Sequence, residues 1–350
     1  MGDGFETTDM KSRDRVAKWW TLREDGRIRC DLCPRACTLR DGQRGFCYTR
    51  MAQGQKMVLD TYGRCSGLGL DPIEKKPLYH FLPGSQVLSF GTAGCNLNCQ
   101  FCQNWDISKA RENDRLTTAV SPGEIADLAV HYGAQSVAFT YNDPTIFAEY
   151  AIDTARACHA EKLRTVAVSA GYICAEPRRE MYAEMDGANL DLKGFTEDFY
   201  WHLTGAHLRD VLDTIAYVCN ETECWVELTT LLIPGRNDSG EEIRNLSKWI
   251  VENVGPDVPL HFSAFHPDWK MRDVPRTPAS TLQRAREIAR SEGVRFVYIG
   301  NIRDREGGTT FCPGCGAALI VRDWFDVCEN TVGESGQCPR CAAVIPGVWA

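Results

Sequence analysis

The sequence predicts an α/β fold of parallel strands, either a barrel or an open doubly wound sheet. Three observations carry this. Between about residues 85 and 300, short apolar runs alternate with stretches of helical period. The helical stretches bring their own start and stop residues. The chain of 350 residues is 43% apolar and 25% charged, a composition that supports a packed core and excludes disorder.

The runs at 87–90, 136–141, 165–169, 189–192, 225–233, 260–265 and 295–299 read as buried strands. Ser121-Pro122-Gly123-Glu124 supplies a cap, a proline at the first helical position and a capping-box glutamate, and Gly133 closes that helix. The stretch 144–163 sets Phe147, Ala151, Ala155 and Cys158 on one helical face. Helices are also expected over 239–253 and 281–293, the latter ending on glycine. Three segments follow: 1–70, a four-cysteine module; 71–302, the α/β domain; and 303–350, a cysteine-rich tail too short to build its own core without a metal.

No apolar run approaches the ~20 residues of a membrane span. Residues 1–14 are polar and mixed in charge, unlike a signal or transit peptide, so a cytoplasmic location is expected. The net charge of −8 argues against broad nucleic-acid binding. Residues 1–70 are mildly basic, with 13 Lys and Arg against 9 Asp and Glu.

Seventeen cysteines are the outlying number, and eleven fall into three tight groups. Cys95, Cys99 and Cys102 have the spacing C-x3-C-x2-C directly after the first strand of the α/β region. Three thiolates leave one iron of a four-iron cluster open, as a catalytic metal requires; a structural site completed by a fourth ligand such as Cys65 is the alternative. Cys312, Cys315, Cys338 and Cys341 form two C-x2-C knuckles, the pattern of a structural zinc ribbon, with a rubredoxin-like iron site or a redox pair as alternatives. From residue 303 onward there are four basic and six acidic residues, which favours folding or partner docking over nucleic-acid binding. Cys30, Cys33, Cys37 and Cys47 also offer four ligands, for zinc or for a second iron–sulfur cluster. The chemistry-bearing motifs fall at or just after the carboxyl ends of strands, where parallel barrels place active sites.

The triad motif resembles that of the radical S-adenosylmethionine (SAM) superfamily. The resemblance extends along nearly the whole chain to the radical SAM enzymes of the AmmeMemoRadiSam system, relatives of pyruvate formate-lyase activating enzymes. It runs through Cys30 to Cys47, Asp71-Pro72-Ile73-Glu74-Lys75-Lys76-Pro77-Leu78-Tyr79-His80-Phe81-Leu82-Pro83-Gly84, the triad, Tyr141-Asn142-Asp143-Pro144-Thr145, Asp191-Leu192-Lys193-Gly194-Phe195 and the cysteine tail. It implies a partial (β/α)6-type barrel flanked by small cysteine-rich metal-binding modules. It also implies a radical SAM oxidoreductase, with a 4Fe-4S cluster on Cys95, Cys99 and Cys102, that cleaves SAM to a 5′-deoxyadenosyl radical and abstracts hydrogen from a substrate. Asn142 and Asp143 stand where the superfamily's Gly-Gly-Glu-Pro-like segment meets the SAM amino group, although both glycines are missing. Asp191 and Lys193 match an Asp-Leu-Lys motif that contacts the SAM ribose and carboxylate, and His266 matches a histidine near SAM. The monovalent-cation segment of the activating enzymes is absent: Val168-Ser169-Ala170-Gly171 stands there.

The resemblance implies a protein substrate or partner of the Memo or AMMECR type, and flavodoxin or ferredoxin as electron donor. Radical chemistry on a small molecule is the second reading. A non-catalytic zinc-binding interaction protein is the third. Cys174 lies in a loop at the same barrel end.

Overall fold

The computed structural model describes residues 15–110 and 118–350; the expectation drawn from residues 1–14 lies outside the described residues. Seven parallel strands organise it: β1 (Gln86–Gly91), β2 (Ser136–Phe139), β3 (Arg164–Ser169), β4 (Gly187–Asp191), β5 (Trp225–Leu232), β6 (Leu260–Ala264) and β7 (Val297–Gly300). Each pairs with its neighbour in sequence, so the order across the sheet is β1 to β7 without reversal. A doubly wound sheet reverses strand order at a switch point, so this alternative is set aside and the partial barrel remains. Beyond β1 the sheet continues with the antiparallel strand Arg64–Pro72 and the short strand Thr118–Ala119. Among the described residues no strand lies beyond β7, and the barrel stays open.

The strands are continuously apolar because both faces are covered: in β1, Val87, Leu88 and Phe90 are all buried. Helices α1 (Pro122–His131), α2 (Ala148–Ala160), α3 (Ala175–Tyr182), α4 (Leu208–Glu221), α5 (Gly240–Asn253) and α6 (Ala279–Ser291) form the outer layer. The Ser121–Glu124 capping box is made, at 3.3 and 2.6 Å. Two expectations shift. β2 ends at Phe139, because Tyr141 takes a left-handed φ of +68°. The helix expected over 144–163 splits into a 3-10 turn, Pro144–Phe147, and α2, since Asp143 caps the turn.

The flanking segments meet the barrel at opposite ends. Toward the N-terminus, the three-stranded sheet of Trp20–Leu22, Ile28–Cys30 and Thr38–Leu39 and the hairpin of Arg50–Gln53 and Lys56–Leu59 sit by the loop that leaves β1. Ile28, Leu32, Leu39 and Met57 belong to the same buried cluster as Phe90 and Phe139. The buried Arg50 donates to the Glu149 carboxylate of α2 and to the Lys18 carbonyl.

The tail forms a sheet of Thr310–Phe311, Ala318–Asp323 and Asp326–Asn330, and its Leu319, Ile320 and Ile345 pack on Tyr79, Phe296 and Tyr298. It lies behind the amino ends of the strands, where Glu227 accepts from His261 Nε2 (2.6 Å) and from the Tyr79 and His80 amides (3.0 and 2.7 Å). Buried Arg322 donates to the Tyr79 carbonyl (2.6 Å) and faces Glu74 at 3.4 Å.

Candidate active site

The loop from Gly91 to Cys102 leaves β1 under tight steric constraint. A Cβ on Gly91 would stand 2.4 Å from the Thr140 carbonyl oxygen, and one on Gly94, whose φ is +101°, would stand 2.1 Å from the Cys47 carbonyl oxygen. Only glycine fits either place. Asn142 fastens the loop to the end of β2: its Nδ2 donates to the Thr92 and Gly94 carbonyls (2.7 and 2.8 Å) and its Oδ1 accepts from the Thr92 amide (3.3 Å). On the far side, the π-helical turn Tyr200–Thr204 offers carbonyls to the loop, Thr204 to the Asn98 amide (2.7 Å) and Leu203 to the Gln100 amide (2.9 Å). Arg35 adds donations to the Asn96 and Gly205 carbonyls.

A cavity of about 230 Å³ opens beneath this loop, and Cys95, Cys99, Cys102, Asn142, Asp143, Asp191 and Lys193 all line it. Residues drawn from three strand ends are thus brought to one place. His266 is not: it is exposed beyond β6 and outside this lining. Cys174 is also outside it, with its amide donating to the Leu32 carbonyl (3.0 Å). Among the described residues no fourth cysteine lines the cavity. Cys65 is buried elsewhere, its sulfur 3.3 Å from the Tyr150 hydroxyl.

Asp143 is 3% exposed and accepts from the Thr145 amide (3.0 Å), the Ser169 hydroxyl (3.0 Å) and the Ala170 amide (2.9 Å). It therefore caps a turn and ties β3 to β2 while bordering the cavity. Lys193 Nζ meets Asp191 Oδ2 at 2.7 Å. Burial works against the lysine's charge, but Asp191 and the Cys99 sulfur outweigh it and its pKa is raised. Burial pushes the Cys95 thiol up to about 12 and the Cys99 thiol up to about 11. Thiolates here call for a cation, and three of them beside an ammonium–carboxylate pair fit an iron–sulfur cluster with an open position.

The model of the radical SAM superfamily matches residues 90–249, from β1 into α5. An uncharacterised protein of Methanocaldococcus jannaschii is 38% identical over 332 residues, 95% of this chain and 98% of that one. The chain belongs to the radical SAM superfamily. A putative glycyl-radical enzyme activating enzyme of the same organism is 22% identical over 222 residues, covering 62% of this chain and 80% of that one. The crystal structure of a radical SAM methyltransferase from Sphaerobacter thermophilus shares the fold, with a TM-score of 0.50 and 17% identity, over 63% of this chain and 68% of that one.

In this radical SAM enzyme several supports carry no motif. Asn237 donates to the Lys193 and Leu231 carbonyls (2.7 and 2.9 Å), and the Tyr200 hydroxyl accepts from the Lys193 amide (3.0 Å). Asn237 lies five residues beyond the end of β5, two past Pro234-Gly235. Tyr141 lines the cavity with its ring against Gly67, its hydroxyl 3.3 Å from Asp71 Oδ2 and the Lys76 ammonium 5.0 Å from its ring centre. That arrangement gives the Asp71 to Lys76 motif a task.

The other cysteine groups differ in spacing. In the tail, Cys312 and Cys341 sulfurs are 3.5 Å apart, Cys315 and Cys338 sulfurs 3.7 Å, and all four lie within 4.8 Å of one another. A zinc ion with bonds of about 2.3 Å sets tetrahedral thiolates about 3.8 Å apart, so this group can bind a metal ion. Cys30, Cys33 and Cys47 are buried and Cys37 half-buried. Among the described residues they do not reach the mutual 4.8 Å spacing of the tail. No helix of the described residues is long and apolar enough to cross a membrane.

Proposed function

We propose that this radical SAM enzyme activates or modifies a partner protein, with Cys95, Cys99 and Cys102 holding the 4Fe-4S cluster and SAM bound in the cavity beside them. The observation that carries the site is the meeting of three thiols, without a fourth, with the Lys193–Asp191 pair in one cavity. A cluster with one open iron supplies the electron for cleavage of the SAM sulfonium. The chain's own residues position and neutralise. Lys193 offers a fixed positive charge to a carboxylate, and Asp191, 30% exposed, retains acceptor capacity for hydroxyl groups. Asn142 acts by holding the loop, and its carboxamide is already spent on Thr92 and Gly94. Asp143 keeps one acceptor direction for an amino group.

The relative named as a glycyl-radical enzyme activating enzyme supports a protein substrate. The AmmeMemoRadiSam-like motifs point to a Memo-type or AMMECR-type partner, with flavodoxin or ferredoxin as donor. In this reading the tail quartet holds one structural zinc.

The test is anaerobic incubation with SAM, reductant and each partner candidate, followed by mass spectrometry of the partner. Replacing all three triad cysteines by alanine should abolish 5′-deoxyadenosine formation; undiminished cleavage would refute the site. Lys193→Met should weaken SAM binding at least tenfold with iron content unchanged, and loss of iron instead would make Lys193 a scaffold residue.

A further inference from the structure

We infer that Cys30, Cys33, Cys37 and Cys47 are the ligands of a second iron–sulfur cluster, seated against the triad loop, rather than of a single zinc ion. The inference goes beyond the reading of the triad and does not depend on it.

Two knuckles and a strand pair bring the quartet together. The strand Ile28–Cys30 runs antiparallel to Thr38–Leu39, and the Cys30 amide donates to the Cys37 carbonyl (2.9 Å). One turn is closed by the Ala36 amide on the Cys33 carbonyl (3.0 Å), the other by the Tyr48 amide on the Gly45 carbonyl (3.0 Å). Ala36 and Tyr48 take φ of +46° and +68° to complete them. Gly45 lies between two of the thiols: a Cβ there would be 3.8 Å from the Cys47 sulfur and 3.9 Å from the Cys37 sulfur.

Spacing then separates the two metals. The tail shows what this chain does for one ion, with sulfurs 3.5 and 3.7 Å apart. The first quartet is wider, since among the described residues it is not gathered within 4.8 Å. A four-iron cube places its irons between the sulfurs and holds them farther apart than one ion does. The surroundings fit as well. The Phe46 amide donates to the Cys37 sulfur (3.5 Å), the kind of hydrogen bond that tunes cluster potentials.

Placement gives the cluster a neighbour. The Cys47 carbonyl rests on Gly94, one residue before Cys95. A cavity of about 220 Å³ has Phe46, Cys47 and Tyr48 on one wall and Gly94, Cys95 and Lys109 on the other.

The experiment compares anaerobically reconstituted full chain with its C95A/C99A/C102A variant by metal analysis, sulfide assay and EPR after dithionite reduction. The variant should keep about four iron and four sulfide, with a reduced-cluster signal that SAM does not change; the parent should hold about eight iron and one zinc. A variant without iron, and a parent with about four iron and two zinc, would overturn the inference. The parent's metal count decides the matter even if the variant does not fold. About eight iron with no SAM-sensitive signal would uphold this cluster while refuting SAM binding at the triad.

Discussion

Cys47 rests its carbonyl on Gly94 in the loop that carries the triad, whereas Cys312 and Cys338 belong to a small cluster behind the opposite end of the sheet, against Tyr79 and Tyr298. Both segments have a cysteine quartet, short antiparallel strands and one fully buried arginine. The first shares the barrel's apolar core. The second shares a separate, smaller apolar cluster with Tyr79, Phe296 and Tyr298, and it also meets the barrel through a polar floor of Glu227, His261, His80 and Arg322. The difference separates an element of the active site from an attachment to the scaffold. A shared core makes the N-terminal segment and the triad loop one cooperative unit, while a separate cluster and a polar floor let the tail respond on its own to metal and pH.

The strongest way to break this contrast is Glu149→Gln. It leaves the Arg50 guanidinium, 1% exposed, buried without its counter-charge, at an expected cost of about 3–5 kcal/mol. If the core is shared, urea unfolding followed by tryptophan fluorescence and by accessibility of the triad cysteines should shift together. Separate melting of the N-terminal segment would show that it is as detachable as the tail.

Acid sharpens the other side. Burial holds His80 down at about 4. The Pro346 carbonyl can only accept, so Nδ1 carries the proton (2.6 Å) and Nε2 accepts from the Tyr298 hydroxyl (2.5 Å). The unfolded chain takes up a proton near pH 6.5 and the folded chain does not until about 4. The stability from neutral His80 is therefore complete above about pH 6.5 and falls as pH drops toward 4, by about 3 kcal/mol in all. Limited proteolysis between pH 7 and 4.5 should release the tail before the barrel; a tail resistant at the lower pH would remove His80 from its attachment.

The smallest expected effect is at Arg44, whose guanidinium meets Asp60 at 2.6 Å while remaining 33% exposed. Arg44→Ala should cost less than about 1 kcal/mol in thermal unfolding and leave metal content unchanged. A larger loss would make that ion pair a main tie within the N-terminal segment.

Much of this was legible in the sequence, for identifiable reasons. Strands covered on both faces must be apolar throughout, so β1 to β7 stood out. Thiol spacing and the Asp191–Lys193 pair are chemistry written as residue type. What escaped is carried by groups without a sequence signature. The carbonyls of Leu203 and Thr204 that hold the triad loop are common to every residue. Asn142 sits in a recognisable motif, yet a carboxamide serves a ligand and a backbone equally well, and here it serves the backbone. His266 shows the converse, since a motif places a residue on a loop but does not aim its side chain. Tyr141 ends the apolar run 136–141 and so reads as strand, but its left-handed φ ends the ladder and its ring packs on Gly67 and Lys76 instead.

One contact also sets the order of events as the protein is made. Phe81, just before the first barrel strand, pairs with Val348, and the Val348 amide and carbonyl bond to His80 (2.7 Å) and Leu82 (2.8 Å). The floor of the barrel can therefore close only after Val348 has left the ribosome. Until then Tyr79, Phe296 and Tyr298 lack their covering side chains, and such long-range closure is slow. Between synthesis of Tyr298 and of Val348 the nascent barrel exposes an aromatic surface, and docking of the tail conceals it.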